Sequence, residues 1–110
     1  MLTMIGGSTE VIVQHKNGTT VDEIGDRVPA WKPLLTLTGW LDLMSGDAKH
    51  TYNAKLQEST HIFLCDYVTM DKHVDNKRMI IDGDIYDILL IDDPMQMHQH
   101  LEIYLRYVGR

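Results

Sequence analysis

Five carboxylates, Asp82, Asp84, Asp87, Asp92 and Asp93, crowd one short stretch of the chain, and hard cations take oxygen ligands. The run DGDIYD resembles the start of a calcium loop, but the glycine at the sixth position and the closing glutamate are missing. It reads instead as acidic turns at the two ends of a hairpin. His98 and His100 stand two apart in a strand-like segment, which puts both on one face, with Glu102 beside them and His61 able to approach across a sheet. Three imidazoles oriented by an acid can hold zinc. The plainer reading is surface histidines, or interface donors, on the outer face of a C-terminal strand. Cys65 has no basic neighbour and no glycine-rich turn to lower its pKa, so it reads as packing, not as a nucleophile. Gly6-Gly7 lacks the GK[ST] of a phosphate loop. No nucleophile, base and orienting group assemble from these parts, so neither an enzyme nor a cofactor is expected.

Composition narrows the field further. With 110 residues the chain fits one domain, large enough to bury roughly 60–70% of its unfolded surface. One cysteine excludes a disulfide framework and points to a reducing compartment. No apolar run of about 18 residues is present, so no membrane span is expected, and MLTMIGGS lacks the features of a signal peptide. Ten Lys+Arg against 16 Asp+Glu leave a net charge of −6. That is the wrong sign for gripping phosphates, and the basic residues are scattered, so a sequence-reading nucleic-acid binder is not expected. A surface that DNA passes without sticking is compatible with this charge.

The elements that would position these groups are strands. In LLTLTGWLDLM, Leu35, Leu37, Leu41 and Leu43 share a face with Gly39, against Thr36, Thr38 and Asp42. In STHIFLCDYV, Ile62, Leu64 and Val68 alternate with His61, Phe63, Cys65 and Tyr67, so both faces carry bulk. Between the two lies SGDAKHTYNAKLQE, where Asp47 can cap a short helix with Ala48, Tyr52 and Leu56 on one narrow stripe. Thr9–His15 alternates as a strand, and Asn17-Gly18 predicts a tight turn. From Val21 to Pro33, acids, two prolines and no clean period predict a long surface loop, pinned by Trp31. Arg78–Ile81 and Ile85–Ile91 flank Asp82-Gly83-Asp84 as a hairpin, and Asp92-Asp93-Pro94 ends its second strand. MQMHQ is a connector. HLEIYLRYVG alternates Leu101, Ile103, Leu105 and Tyr107 against His100, Glu102, Tyr104 and Arg106. The sum is a mainly β chain, a small barrel or sandwich of about six strands with one short helical insertion.

The order of these elements resembles the small head-closure or head–tail adaptor proteins of long-tailed bacteriophages and prophages, also called stoppers or connector proteins. The resemblance runs from Val11 to Gly109. It rests on the strand Leu34–Met44 with the following GDAKHTYNAKLQEST, on THIFLCDY, and on RMIIDGDIYDILLIDDP followed by HLEIYLRYVG. What it implies is a β-barrel subunit, in the host cytoplasm before assembly and in the virion after it. Such a subunit self-associates into a ring on the portal and adaptor proteins, closes the DNA channel after packaging and offers the tail a docking surface. On that reading the polar segment Ser45, Gly46, Asp47, Lys49, His50, Asn53, Lys55, Gln57 and Glu58 forms the channel gate. Trp31, Met95, Met97, His98 and His100 are then contacts to neighbouring subunits or to the tail. Residues 1–8, a flexible arm, or the long loop wraps a neighbouring subunit. The competing reading is a small cellular β-barrel module that binds a peptide or protein on an exposed face. A more distant one is a metal enzyme built on His61, His98, His100 and Glu102.

Overall fold

A computed structural model describes residues 9–44 and 58–110. Its strands are β1 (Thr9–Val21), β2 (Arg27–Leu43), β3 (His61–Asp66), β4 (Lys77–Ile81), β5 (Asp84–Asp92) and β6 (His100–Gly109), with a 3-10 turn at Pro94–Gln96. All neighbours are antiparallel, and they close a barrel in the order β1-β2-β3-β6-β5-β4. The choice between barrel and sandwich is made by one seam. β1 pairs β4 from Ile12↔Ile80 to His15↔Lys77, so the first strand joins the fourth and no sheet edge is left open along the body.

Alternation decides what the barrel encloses. Val11 and Val13, Leu37, Phe63 and Cys65, Met79 and Ile81, Tyr86, Ile88 and Ile91, and Leu101, Ile103 and Leu105 form one buried cluster. Most intervening residues point outward, as period-2 strands require; on β5 a register shift between Ile88 and Leu90 breaks the period, and Leu89 is buried beside Ile88. The central and final strands follow the sequence pattern, except at their ends, where Leu43 is 72% and Tyr107 46% exposed. The β4–β5 turn is Asp82-Gly83, both in the left-handed region at φ 51° and 85°, with Ile81 opposite Asp84. A two-residue turn of this hand matches strand twist, and Asp-Gly is the pair that tolerates it.

The first hairpin departs from the sequence reading. The segment from Val21 to Pro33 is not a long loop: Arg27–Pro33 is the first part of β2, and only residues 22–26 turn the chain. Asn17-Gly18 is not the turn either. Lys16 pairs Trp31 and Thr19 pairs Pro29, so β1 carries one extra residue there, a bulge that Gly18 accommodates at φ 78°. The true turn is built by Asp22. Its Oδ1 accepts the backbone N–H of Ile24 at 3.1 Å and of Asp26 at 2.8 Å, an Asx arrangement that holds the tip. The two prolines, read as loop markers, occupy tolerated strand positions. Pro33 lies at the register shift next to Val13/Gln14, and Pro29 lies where β2 pairs on one side only.

The stretch between β3 and β4 has no regular structure but is tied down. Tyr67, Val68, Met70 and Val74 pack against the core. Lys77, 3% exposed, sends its ammonium to Asp71 Oδ1 at 2.6 Å, the His73 carbonyl at 2.7 Å and Asn76 Oδ1 at 3.4 Å. A buried ammonium needs such a set of acceptors.

Candidate interaction surface

Among the described residues, past Lys16, whose N–H still bonds the Asn76 carbonyl at 2.9 Å, β1 has no strand neighbour except β2, and β2 meets β3 only from Gly39 onward. The hairpin between Lys16 and Lys32 therefore stands off the barrel as a two-stranded arm. The molecule is accordingly elongated, 46 × 34 × 24 Å. Its tip carries Ile24, 82% exposed, with Val21 at 54%, between the acids Asp22, Glu23 and Asp26. Exposed aliphatic side chains on a projecting element mark a contact surface more than a stability device.

At the base of the arm the bulge at Asn17-Gly18 puts Lys16 beside Trp31. The Arg78 guanidinium carbon lies 4.3 Å from the Trp31 ring centroid and the Lys16 ammonium 5.5 Å from it, both within cation–π range. Arg78 Nε donates to Gln14 Oε1 at 2.7 Å. Partial burial lowers the Arg78 pKa and Asp87 raises it, and guanidinium remains a cation throughout. Across β5 and β6, Arg106 bonds Asp87 at 3.0 Å and faces Glu58 at 3.7 Å. Lys16, Trp31, Asp87 and Arg106, with Val74 and Asp75, line a depression of about 260 Å³.

The residues singled out in the sequence are scattered over the molecule. Of the proposed gate, Ser45, Gly46, Asp47, Lys49, His50, Asn53, Lys55 and Gln57 lie outside the described residues, as do the short helix expected there and the arm 1–8. Glu58 pairs with Arg106. The ends of that insertion are joined, since the Met44 N–H bonds the Thr60 carbonyl at 2.9 Å. Trp31 sits at the arm base. Met95 and Met97 are 88% and 56% exposed on the turn after β5.

The expected histidine face does not form. His98 precedes β6, in the left-handed region at φ 56°, so it does not share a strand with His100. His61 pairs Leu105 while His100 pairs Asp66, which places them at opposite ends of the same ladder. Glu102 instead accepts the Tyr104 hydroxyl at 2.8 Å, and His100 Nε2 lies 3.1 Å from its other oxygen. Burial and the Glu102 carboxylate both push the Tyr104 phenol up, so it stays protonated. Burial keeps His61 low, consistent with its edge-on contact to Tyr86 at 5.1 Å. Among the described residues no three His, Cys, Asp or Glu side chains are grouped as metal ligands. Among them, too, no helix is long and apolar enough to cross a membrane.

His98 belongs to a different unit. Its imidazole Nδ1 lies 2.5 Å from Asp93 Oδ2 and its backbone N–H donates to Asp93 Oδ1 at 3.0 Å, while the ring rests 4.5 Å from that of Tyr67. Asp93 therefore latches the turn through Met95, Gln96 and His98, all at positive φ. Burial pushes the Asp93 carboxyl up, but the two bonds from His98 and the nearby charge of Lys72 outweigh it and hold the group below its ordinary 3.8. A carboxyl depressed in the folded state stabilises fully above the unfolded value and loses that contribution as pH falls through the folded one. Urea midpoints of the wild type should accordingly exceed those of Asp93→Asn at pH 5. The gap should narrow below about pH 4, and a gap that widens there would remove the latch.

Cys65 is 1% exposed. Burial, with Asp66 adding to it, raises the thiol to about 11, so at pH 8 roughly one molecule in a thousand carries the thiolate. A disulfide-exchange reagent should leave native protein unmodified for hours and titrate one thiol at once in denaturant. Immediate native labelling would contradict the packing.

No family model and no curated protein matches the chain. Among solved structures, the solution structure of protein SF1141 from Shigella flexneri 2a, a structural-genomics target, is similar, with a TM-score of 0.69 and 18% identity. The match covers 94% of this chain and 95% of that one. At that identity the likeness speaks for the fold alone, a small mainly β architecture shared over nearly the full length of both chains.

Proposed function

We propose that this protein is a structural subunit of a phage head–tail connector, a ring component that closes the DNA channel after packaging and presents a docking surface to the tail. The observation that carries the reading is the arm. A closed barrel has no need of a projecting hairpin tipped with Ile24 at 82% exposure, whereas an assembly held by shape needs a reaching element on each subunit. Two further features fit. The charged groups on β6 are spent on neighbours, in contacts such as Arg106 to Asp87 and Glu102 to His100 and Tyr104. The net charge of −6 suits a wall past which DNA must slide.

Electron cryo-microscopy of portal–adaptor complexes incubated with the purified protein tests this reading. A ring of added density at the channel mouth is the expected result. Complexes that remain bare at saturating protein would overturn it and leave the cellular binding module as the better account.

A further inference from the structure

Two sets of unpaired groups of opposite sign stand at the two ends of the arm. At its base, Lys16 and Arg78 flank Trp31, and neither is in ion-pair contact with a carboxylate among the described residues; Arg78 is bonded to a neutral glutamine. At its tip, Asp22 spends its carboxylate on the backbone of Ile24 and Asp26, which leaves Glu23 and Asp26 without a cation in ion-pair contact, on either side of the most solvent-exposed aliphatic side chain of the arm, Ile24. The two ends cannot meet within one molecule. From Trp31 to Arg27 the hairpin runs four residues of paired strand, roughly 14 Å, and a ladder of that length does not fold back on itself.

We infer that the arm tip of one copy docks on the Trp31 patch of a second copy, Ile24 against the indole, Glu23 and Asp26 against Lys16 and Arg78. The occupant is argued from charge. The body of the molecule is acidic, and at the patch two cations flank an aromatic face with no carboxylate in ion-pair contact; Asp87, opposite Arg78 on β5, is bonded to Arg106. The matching chemistry, a short acidic turn with a protruding aliphatic, is present on every copy. The prolines favour contact through side chains. Pro29 and Pro33 deprive β2 of two N–H groups in the part of the strand that lacks a second neighbour, so strand-to-strand addition along that edge is poor. Because tip and patch are different surfaces, the contact is heterologous: each copy has one free tip and one free patch until a ring closes. The inference deepens the connector reading by naming what joins its subunits, yet it can fail while that reading stands.

The test is charge exchange followed by sedimentation velocity and native mass spectrometry. Wild type should self-associate with rising concentration, and salt should weaken it. A tip variant, E23K with D26K, and a patch variant, K16E with R78E, should each associate roughly tenfold or more weakly. Mixed in equal amounts they should assemble again, because each variant's tip then meets the other's patch. K16E alone, at an exposed side chain, serves if the double patch variant fails to fold, and should associate less well than wild type. A wild type monomeric at every concentration, variants as associated as wild type, or a mixture that stays dissociated would each overturn the inference. So would quenching of Trp31 fluorescence, read in a Trp40→Phe background, by a single-stranded oligonucleotide with Lys16 present but not with K16E, which would assign the patch to nucleic acid. Bare portal complexes together with a restored mixture would sink the connector reading alone.

Discussion

Valine at position 39 should leave no folded barrel, and alanine there should cost at least about 3 kcal/mol. Gly39 is paired on both sides, to Thr9 of β1 and to Cys65 of β3, at the residue where β2 passes from its ladder with β1 to its ladder with β3. Its backbone lies in an ordinary extended conformation, so the demand is for space and not for unusual torsions. A β-carbon built there runs into the Leu64 carbonyl oxygen and stands 3.0 Å from the Phe63 ring. The ring could swing aside. The carbonyl belongs to the ladder and cannot move without breaking pairs on β3. Circular dichroism should show Gly39→Val unfolded, and denaturant titration should place the midpoint of Gly39→Ala far below that of wild type. A Gly39→Ala protein melting within a degree or two of wild type would mean that β2 and β3 do not approach as closely as described.

Phe63→Ala should be nearly as damaging, about 3–5 kcal/mol, a large share of the 5–15 kcal/mol typical of a domain. Phe63 is fully buried, and it projects from β3 between Leu41 of β2 and Ile103 of β6. Its removal opens a cavity that the paired strands around it cannot collapse to fill. The two sites should also be coupled. In a Phe63→Leu background the ring contact at position 39 is gone while the carbonyl contact remains. Gly39→Ala should therefore cost less there than in wild type, but still more than 1 kcal/mol. Strict additivity in the double-mutant cycle would show that the ring takes no part in the crowding.

Much of the fold was legible because β3, β6 and the second half of β2 keep a period of two through the core. Leu35 through Leu41, Phe63 with Cys65, and Leu101 through Leu105 announced their inner faces, and Asp82-Gly83 announced its turn, since few residue pairs adopt two left-handed conformations in succession. The first hairpin was not legible. Asn17-Gly18 is a strong local turn signal, but pairing over the whole length of β1 and β2 outweighs it and reduces it to a bulge. The prolines of β2 signalled a loop because a proline in a strand is excluded only when both sides are bonded, and which strand has a bare side is not a local property. The histidine face failed for a related reason: periodicity gives direction only where the strand exists, and His98 lies before it, turned by Asp93.

The interaction surface shows the same division. The acids and Ile24 at the arm tip, and Trp31, were visible as residue types. Their association with Lys16 and Arg78 was not, because those residues are fifteen and forty-seven positions from Trp31 and the β1–β2 ladder and the β1–β4 seam together bring them to one side of the arm. The amino-acid order alone determined a mainly β chain, its inward and outward faces and the absence of a charge suited to gripping nucleic acid, all of which follow from neighbours within a few residues. Barrel closure, the arm, the buried Lys77 and the pairing of cations around Trp31 were decided by the tertiary structure. Each depends on which strands become neighbours, and that is settled by the sum of long-range pairings and not by any local run.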